Sequence, residues 1–311
     1  MNRMDVQEVM TAAYLGMVQR VTRFTKGERN VTYRVVTTRG DYCLRVYREK
    51  TPHEFGFELA LLNAIRGLPT PCLHRIGSQW WTKVDGRYAA VYDFIPGSQL
   101  KRFTTRQLED VGAFLGRFHR RSRTFHWRGT RKRFYDLPDR RIDNIVQFAR
   151  ACRVPFLQHL PDMARELRRW RLNSRLPSGP IHVDVKPENV LFKNGRLSGV
   201  IDFDNCYKGP LMLDLMTSMV WFGLLGRKFK LSRAAAVYRG YRRERRLSPL
   251  EYRELYRVLH FKFVSHVFID YEMRAKKAVS EEYLSWLVHN LYWAYRHLEV
   301  SEKQFYRAMP R

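Results

Sequence analysis

Three oxygen-bearing side chains in one stretch of the chain are spaced in a way that could hold a metal ion. Asp184 and Asn189 lie in Ile181–Phe192, which begins apolar, becomes polar and ends in an apolar triplet, and Asp202 closes a second apolar run after a turn at 193–196. This order predicts a loop followed by a β-hairpin, which would bring the three donors towards one place. Because Mg²⁺ takes one or two carboxylates and completes its coordination with phosphates and water, the pattern favours Mg²⁺ and a phosphate-bearing nucleotide.

The composition is that of a folded protein with an unusual charge. Hydrophobic residues make up 45% of the chain and aromatic residues 14%, which argues against extensive disorder. A length of 311 residues suffices for one large domain or two lobes. The net charge of +27 indicates either a solvated cationic surface or an acidic partner such as a nucleotide, a nucleic acid, an anionic substrate or a membrane. Composition leaves both interpretations open.

Signals for export and for membrane insertion are absent from the sequence. The four cysteines form no Cys-x-x-Cys pair, which favours a reducing cytosol over a disulfide framework or a thiolate metal site. The first 17 residues contain Asp5 and Glu8 and lack the basic-then-apolar order of a signal peptide. Asp214 interrupts the longest apolar stretch, Leu211–Leu225, so we expect no membrane span. The prediction is a cytoplasmic protein.

The elements that would position the donors change character along the chain. Alternating, β-branched segments before residue 95 predict strands, and apolar residues at helical spacing predict helices. The strands are Val18–Phe24, Thr32–Thr37, Asp41–Tyr47, Trp80–Val84 and Tyr88–Phe94, and the first helices are Val6–Leu15 and Phe55–Ile65. Beyond Ile95–Ser98 the predicted helices are Thr105–Arg120, Arg141–Ala151, Pro161–Leu172, Leu213–Leu225, Ser232–Arg245, Pro249–Tyr271 and Ser280–Leu298. We therefore predict an α+β protein with two lobes: a small five-stranded antiparallel β lobe, residues 1–95, and a larger helical lobe, residues 96–311, that carries the hairpin.

The motifs His182-x-Asp184-x-x-x-x-Asn189 and Ile201-Asp202-Phe203 resemble those of a superfamily of small-molecule kinases. This superfamily comprises the aminoglycoside phosphotransferases, choline kinases and type II homoserine kinases, and its fold is protein-kinase-like. The resemblance covers residues 18–300, and Leu197–Phe203 is most similar to homoserine-kinase-like members. Val185–Asn189 is also similar to the catalytic loop of eukaryotic-type protein kinases. The resemblance implies a nucleotide-binding lobe at 1–95 and a catalytic and substrate-binding lobe at 96–311.

The resemblance also implies roles for the polar residues of the loop and hairpin. Asp184 would be the catalytic aspartate that accepts the proton of the substrate hydroxyl, and Lys186 would lie close to the transferred phosphoryl group. Asn189 and Asp202 would hold Mg²⁺ on the phosphates of ATP. Such a set suits phosphoryl transfer, which depends mainly on positioning and charge neutralisation.

Nucleotide contacts are implied in the first lobe. Gly27 and Asn30 lie in a turn that resembles the loop covering the nucleotide phosphates. Arg45 stands where a lysine is expected to contact the α- and β-phosphates, and it offers a planar fork instead of a point charge. Glu58 on the following helix would pair with Arg45, with Glu54 as its rival.

The adenine would be met at the end of the last predicted strand. Residues 90–94, among them Tyr92 and Phe94, would offer backbone groups to the base.

Departures from related motifs bear on the substrate. Val183 replaces the glycine common between His and Asp in the small-molecule kinases. Asp204 follows Phe203 where protein kinases have the glycine of Asp-Phe-Gly, and no Ala-Pro-Glu signal follows. These differences favour a small molecule over a protein as substrate. His182 is expected to support the loop, His119 to be a packed, hydrogen-bonded side chain, and Asp214 to be a structural anchor that opens the next helix.

A basic segment leaves a different function open. Arg117–Arg141 contains ten Lys or Arg residues with Phe125, Trp127, Phe134 and Tyr135 between them, a mixture that could bind nucleic acid or form a packed insertion. We do not favour nucleic acid as a partner.

The predicted function is an ATP- and Mg²⁺-dependent transfer of the γ-phosphate to a hydroxyl of a small-molecule alcohol, as in homoserine kinases or related kinases of amino or sugar alcohols. A cationic aminoglycoside suits so basic a chain less well. Two alternatives remain open. One is a Ser/Thr protein kinase; the other is a nucleotide-binding regulatory protein with nucleic-acid affinity and little turnover.

Overall fold

The structure is a computed structural model that describes residues 3–24, 30–48, 51–129, 131 and 133–311. Its helices and strands follow the predicted order. The α-helices are α1 Arg3–Ala12, α2 Pro52–Ala64, α3 Thr105–Arg121, α4 Asp139–Ala151, α5 Leu160–Arg169, α6 Leu211–Gly223, α7 Leu231–Glu244, α8 Pro249–Ala275, α9 Glu281–Trp286, α10 Trp293–Arg296 and α11 Glu302–Ala308. The strands are β1 Val18–Arg23, β2 Asn30–Thr37, β3 Gly40–Tyr47, β4 Thr82–Val84, β5 Arg87–Asp93, β6 Ser178–Ile181, β7 Val190–Lys193, β8 Arg196–Val200, β9 Tyr207–Pro210, β10 Leu224–Leu225 and β11 Lys228–Phe229.

The chain divides into two compact units that are each built from more than one segment. The first unit comprises Met1–Leu100, Thr124–Arg131 and Glu188–Cys206, and the second comprises Lys101–Arg123, Lys132–Pro187 and Tyr207–Arg311. The chain therefore passes from the second unit to the first between Pro187 and Glu188, inside the polar loop.

The first unit is built on a five-stranded antiparallel sheet, as predicted. Over the described residues the strand order is β1-β2-β3-β5-β4. Because strand side chains alternate between faces, Val35 and Leu44 lie on the face that packs on Val9 and Met10 of α1, where they are fully buried. The fold class is confirmed as α+β.

The predicted hairpin of β7 and β8 also belongs to the first unit. Its register pairs Val190 with Val200, and its turn at Asn194 and Gly195 has φ of 51° and 74°, the paired positive values that suit a tight hairpin. Ser98 and Phe192 exchange two backbone hydrogen bonds of 2.9 Å, which fix the hairpin within this unit.

The second unit is mainly helical, and α3 and α7 make its closest helix contact. A Cβ atom on Gly112 of α3 would lie 1.8 Å from the Val237 carbonyl oxygen, and one on Gly240 of α7 would lie 2.0 Å from the Glu109 carbonyl oxygen. Both distances are far below van der Waals contact, so glycine is required for the two backbones to touch.

Several elements of the second unit differ from the prediction. The helix predicted over 280–298 is α9, a π-helical stretch over Leu287–Tyr292, and α10. The helix predicted to Leu225 ends at Gly223, because Leu224–Leu225 pairs with Lys228–Phe229. The pairing of β6 with β9 and the helix α11 were not predicted. No helix in the described part of the chain has the length and apolar character needed to cross a bilayer.

Candidate active site

An arginine in the first unit is held by three carboxylates. Arg45 Nη1 lies 3.0 Å from Glu58 Oε1, and Arg45 Nη2 lies 3.2 Å from Asp202 Oδ1 and 3.6 Å from Asp204 Oδ2. The carboxyl side chains of Glu58 and Asp204 are 1% and 4% exposed, whereas that of Asp202 is 40% exposed. Glu58 and Asp204 can therefore position Arg45, and Asp202 is the carboxylate of this cluster that can face a ligand.

The ionisation of Arg45 follows from these neighbours. Burial alone would lower the pKa of the guanidinium, but Asp204, Glu58 and Asp202 outweigh it, and the pKa is raised well above its usual value. The buried cluster thus contains a permanent cation matched by several anions, as burial of charge requires.

The rival pairing of Arg45 with Glu54 does not occur. Glu54 Oε2 instead accepts a hydrogen bond of 2.7 Å from the backbone N–H of Thr51 at the start of α2. A carboxylate in this position caps the unpaired amides of the first helical turn. Glu58, one turn further along α2, is the residue that reaches the strand.

The predicted phosphate loop is represented by Asn30, since Gly27 lies outside the described residues. Asn30 Nδ2 donates a hydrogen bond of 2.7 Å to Asp204 Oδ2. Asn30 therefore adds to the support of Asp204, a residue for which the sequence suggested no role.

The hairpin brings Asn189 and Asp202 to the same end. Ile201 N donates to Asn189 O over 2.9 Å at the open end of the hairpin. Asp202 is the next residue after Ile201 and therefore lies at the same end as Asn189. Asp202 has φ of 67°, a left-handed conformation that aspartate tolerates better than most residues. One amide oxygen and one accessible carboxylate form a donor set that suits Mg²⁺ when phosphates supply further ligands.

No larger metal-binding group competes with this pair. In the described residues, no cluster of three or more His, Cys, Asp and Glu side chains could hold a metal ion by itself. A metal ion bound through Asn189 and Asp202 would take its other ligands from phosphate and water.

Tyr92 and Phe94, the two residues predicted to contact adenine, have different surroundings in the structure. Tyr92 is buried, and its hydroxyl lies 2.8 Å from the hydroxyl of Tyr47. The backbone N–H of Phe94 donates to Asp41 O over 3.1 Å. A contact between Phe94 and the base would therefore use its other groups, and the side chain of Tyr92 packs inside the unit.

The predicted catalytic pair lies in the second unit. Lys186 Nζ lies 3.1 Å from Asp184 Oδ1, and both side chains are largely buried. The ammonium can neutralise charge that develops beside the carboxylate. The loop thus presents a base next to a cation.

A buried carboxylate fixes the backbone of this loop. Asp214 accepts hydrogen bonds from the N–H groups of His182, at 2.8 Å, and Val183. His119 Nε2 lies 3.0 Å from Asp214 Oδ2, and His119 Nδ1 lies 2.8 Å from the hydroxyl of Tyr241. Asp214 therefore holds the backbone of the loop, and His119 is the packed, hydrogen-bonded side chain that was expected.

Of the two residues before Asp184, Val183 has a strained backbone and His182 supports the loop through a hydrogen bond. Val183 has φ of 63°, a region that β-branched side chains rarely adopt. His182 is fully buried, and its Nδ1 accepts a hydrogen bond of 3.3 Å from the N–H of Asp184. That bond gives His182 the supporting position expected for it.

A polar cluster near the catalytic pair was missed by the sequence analysis. The side chain of Lys262 is fully buried. Its Nζ lies 3.5 Å from the centre of the Tyr135 ring and 3.3 Å from His266 Nδ1. Tyr135 OH lies 2.9 Å from the same nitrogen. The spacing of Lys262 and His266 along an otherwise apolar stretch of α8 was the signal available, since a helix places such residues one above the other.

Ionisation within this cluster is shifted by burial. Burial lowers the pKa of Lys262 well below its usual value, although Asp184 and Asp214 act in the opposite direction. Burial, with Lys262 and Lys186 nearby, also lowers the pKa of His266 well below its usual value. The imidazole is therefore neutral, and its Nδ1 serves as acceptor.

The basic segment predicted as either an insertion or a nucleic-acid site packs its aromatic residues. Phe125 and Trp127 form edge-to-face contacts with Phe57, with ring centres 5.4 Å and 5.9 Å apart. Arg131 donates to the carbonyl oxygens of Asp204 at 2.6 Å and Cys206 at 3.0 Å, and to that of Glu54. These contacts are those of a packed insertion.

Comparisons with known proteins show the family of the chain. A family model described as the phosphotransferase enzyme family matches residues 20–248. A homoserine kinase from Brucella anthropi is 31% identical over 261 residues, which cover 79% of this chain and 78% of that protein.

Solved structures confirm the kinase-like fold. A spectinomycin phosphotransferase in complex with ADP and spectinomycin has a TM-score of 0.61 at 14% identity, covering 98% of this chain and 97% of that one. A choline kinase from Cryptosporidium parvum has a TM-score of 0.64 at 14% identity, covering 90% of each chain. The chain therefore belongs to the phosphotransferase enzyme family and is a small-molecule kinase that acts on a hydroxyl group.

Proposed function

We propose that the chain transfers the γ-phosphate of ATP, with Mg²⁺, to the side-chain hydroxyl of a small amino acid, with homoserine as the first candidate. The observation that carries the proposal is the Asp184–Lys186 pair, 3.1 Å apart, on a loop that Asp214 fixes. The homoserine kinase of Brucella anthropi supports the choice of acceptor, and the ADP-bound spectinomycin phosphotransferase supports the use of a nucleotide.

In the proposed reaction, the acceptor oxygen attacks the γ-phosphorus while the bond to the bridging oxygen of the leaving ADP breaks. Asp184 accepts the proton of the hydroxyl, and Lys186 neutralises charge near the transferred group. Asn189 and Asp202 would hold Mg²⁺, which supplies further neutralisation of the phosphates when bound. Arg45, positioned by Glu58, would contact phosphate oxygens.

The proposal also assigns a role to each of the two predicted lobes. Residues 1–95 would bind the nucleotide, and residues 96–311 would supply catalysis and acceptor binding. Small-molecule alcohols are the expected partners.

The test is an ADP-release assay with ATP or GTP across homoserine, amino alcohols, sugars, choline and aminoglycosides, with the phosphorylated product identified by mass. We expect homoserine to be turned over and Asp184→Asn to lower kcat by about 10²- to 10⁴-fold without weakening nucleotide binding. The control is Asp143→Asn, which removes an exposed carboxylate paired with Arg168. Normal turnover by Asp184→Asn would show that the catalytic assignment is wrong.

A further inference from the structure

The amine of Lys262 is buried, and no carboxylate of the described residues forms an ion pair with it. Its Nζ is in contact with the ring of Tyr135 and with His266 Nδ1, and no Asp or Glu oxygen lies within ion-pair distance in the described part of the chain. Burying an ammonium without an opposite charge is expensive, and a methionine would fill the same space without that cost. Packing alone therefore gives no reason for a lysine here.

Two N–H donors nearby also lack protein partners. Trp221 Nε1 and His266 Nε2 are buried, and neither has a hydrogen-bond partner among the described residues. His266 Nδ1 faces two donors, the hydroxyl of Tyr135 and the ammonium of Lys262, so the ring proton is on Nε2. An unpaired buried donor costs about 1–3 kcal/mol, so two on neighbouring rings favour a place where a ligand with acceptor oxygens could bind.

A series of neighbouring side chains connects these donors to Asp184 and Lys186. Lys186 Nζ lies 3.1 Å from Asp184 Oδ1 and 5.6 Å from the centre of the Trp221 ring. The rings of Trp221 and His266 have centres 5.1 Å apart, and His266 leads to Lys262. The unpaired donors therefore lie close to Asp184 and Lys186, within the second unit.

We propose that Lys262, Trp221 and His266 form a subsite that binds the carboxylate of the acceptor. A carboxylate has two oxygens that can accept from Trp221 Nε1 and His266 Nε2, and its negative charge favours the protonated form of Lys262, which burial alone disfavours. The subsite rests on the proposed function, because the acceptor must carry a carboxylate beside its hydroxyl. A choline-like cation would find aromatic rings there, but also the ammonium groups of Lys186 and Lys262.

The sharpest test compares two acceptors that differ only in the carboxylate. Homoserine and 3-aminopropan-1-ol share the hydroxyl, the carbon chain and the amine, so the ratio of their kcat/KM values reports the carboxylate alone. We expect the wild type to prefer homoserine, and Lys262→Met and Trp221→Phe each to reduce this ratio by about 10- to 100-fold. A ratio measured within one variant is insensitive to the fraction of enzyme that is folded.

Matched controls separate binding from packing. Lys276→Met removes an exposed lysine beside Glu272, and Trp293→Phe changes an exposed tryptophan. Both should keep the wild-type ratio. Trp221→Phe also shortens a buried ring that stacks on Trp286, so the ratio and not Tm decides its role. A purely structural Trp221 would lower Tm and leave the ratio unchanged.

The outcomes distinguish the subsite from the proposed function. If the wild type prefers homoserine and both variants keep that preference, the subsite is wrong and the function stands. If no hydroxy amino acid is phosphorylated, the proposed acceptor is wrong, and calorimetry with L-2-aminobutyrate then decides on the subsite. Binding that Lys262→Met abolishes would support the subsite, and absence of Lys262-dependent binding would overturn it.

Discussion

Val183 combines an unfavourable backbone conformation with a buried side chain. Its φ of 63° carries a cost of about 1–2 kcal/mol for a residue with a Cβ. Two N–H bonds to Asp214, its own and that of His182, hold the residue there.

This strain predicts unequal effects for two neighbouring substitutions. Val183→Gly loses buried surface and gains chain entropy in the unfolded state, but it also relieves the strain, so we expect a loss of about 1 kcal/mol. Val185→Gly, at a fully buried residue of ordinary φ, should cost about 3 kcal/mol. Urea unfolding of both variants measures the difference, and equal losses would mean that Val183 is unstrained.

The buried pair of Arg45 and Glu58 predicts strong coupling. Arg45→Met leaves the carboxylate of Glu58 buried without its cation and should destabilise the protein by about 3 kcal/mol. Combining it with Glu58→Leu should recover about 2 kcal/mol relative to the sum of the single changes. A double-mutant cycle by urea unfolding measures this term, and additive effects would contradict the pairing.

At the residue scale, contacts could be predicted from the sequence where the two residues lie near each other along the chain or on consecutive elements. Arg45 and Glu58 lie on consecutive elements, so their pairing could be predicted. Lys262 could not, because a lysine within a helix usually extends its charge to solvent. Its burial depends on Tyr135, which approaches from a distant part of the chain.

At the scale of elements, Arg131 joins three pieces of the first unit. Its guanidinium donates to carbonyl oxygens in α2 and in the turn that follows Asp202. The segment Thr124–Arg131 thereby ties the helix that carries Glu58 to the turn that carries Asp204.

Arg131→Ala should therefore destabilise the protein by about 2 kcal/mol, because three carbonyl groups lose a charged donor. The control is Arg128→Ala, which removes an exposed arginine from the same segment and should change stability by less than about 0.5 kcal/mol. The two midpoints of urea unfolding give the comparison. Equal changes would show that the carbonyl contacts of Arg131 contribute nothing.

Elements with a strong local signal were predictable, and elements made by distant pairing were not. The hairpin of β7 and β8 has apolar strands around an Asn-Gly turn, which specifies it locally. Strands β6 and β9 are short, contain glycine and proline, and pair across a long separation. The π-helical stretch Leu287–Tyr292 keeps the apolar spacing of a helix, so periodicity alone predicts one continuous helix.

At the scale of the whole molecule, many arginines form surface ion pairs. Arg168 and Arg171 pair with Asp139 and Asp143, and Arg239 and Arg243 pair with Glu109. Exposed pairs of this kind contribute little to stability. The charge of +27 therefore affects the field around the protein more than its fold.

Stability should fall in mild acid because of His260. Burial lowers the pKa of His260 to about 4 although Glu166 opposes the shift. Between pH 6.5 and 4 the unfolded chain binds a proton at this residue that the folded chain does not, so unfolding becomes easier as the pH falls. The loss should reach about 1–2 kcal/mol at pH 5.

His260→Phe keeps a ring on Trp170, with which His260 stacks at 4.2 Å, and removes the titration. Its stability relative to the wild type should therefore rise by that amount between pH 7 and pH 5, as followed by urea unfolding. His126→Phe, at an exposed histidine, is the control. A pH dependence unchanged by His260→Phe would contradict the assignment.

The backbone contact between α3 and α7 has a mechanical consequence. Packed helices slide when the side chains between them rotate slightly, and at Gly112 and Gly240 no such layer exists. His119 on α3 and Tyr241 on α7, which support Asp214, must therefore move as one rigid pair. Any adjustment of the second unit would have to come from helices that do not share this backbone contact, so we expect the loop that Asp214 fixes to keep its form.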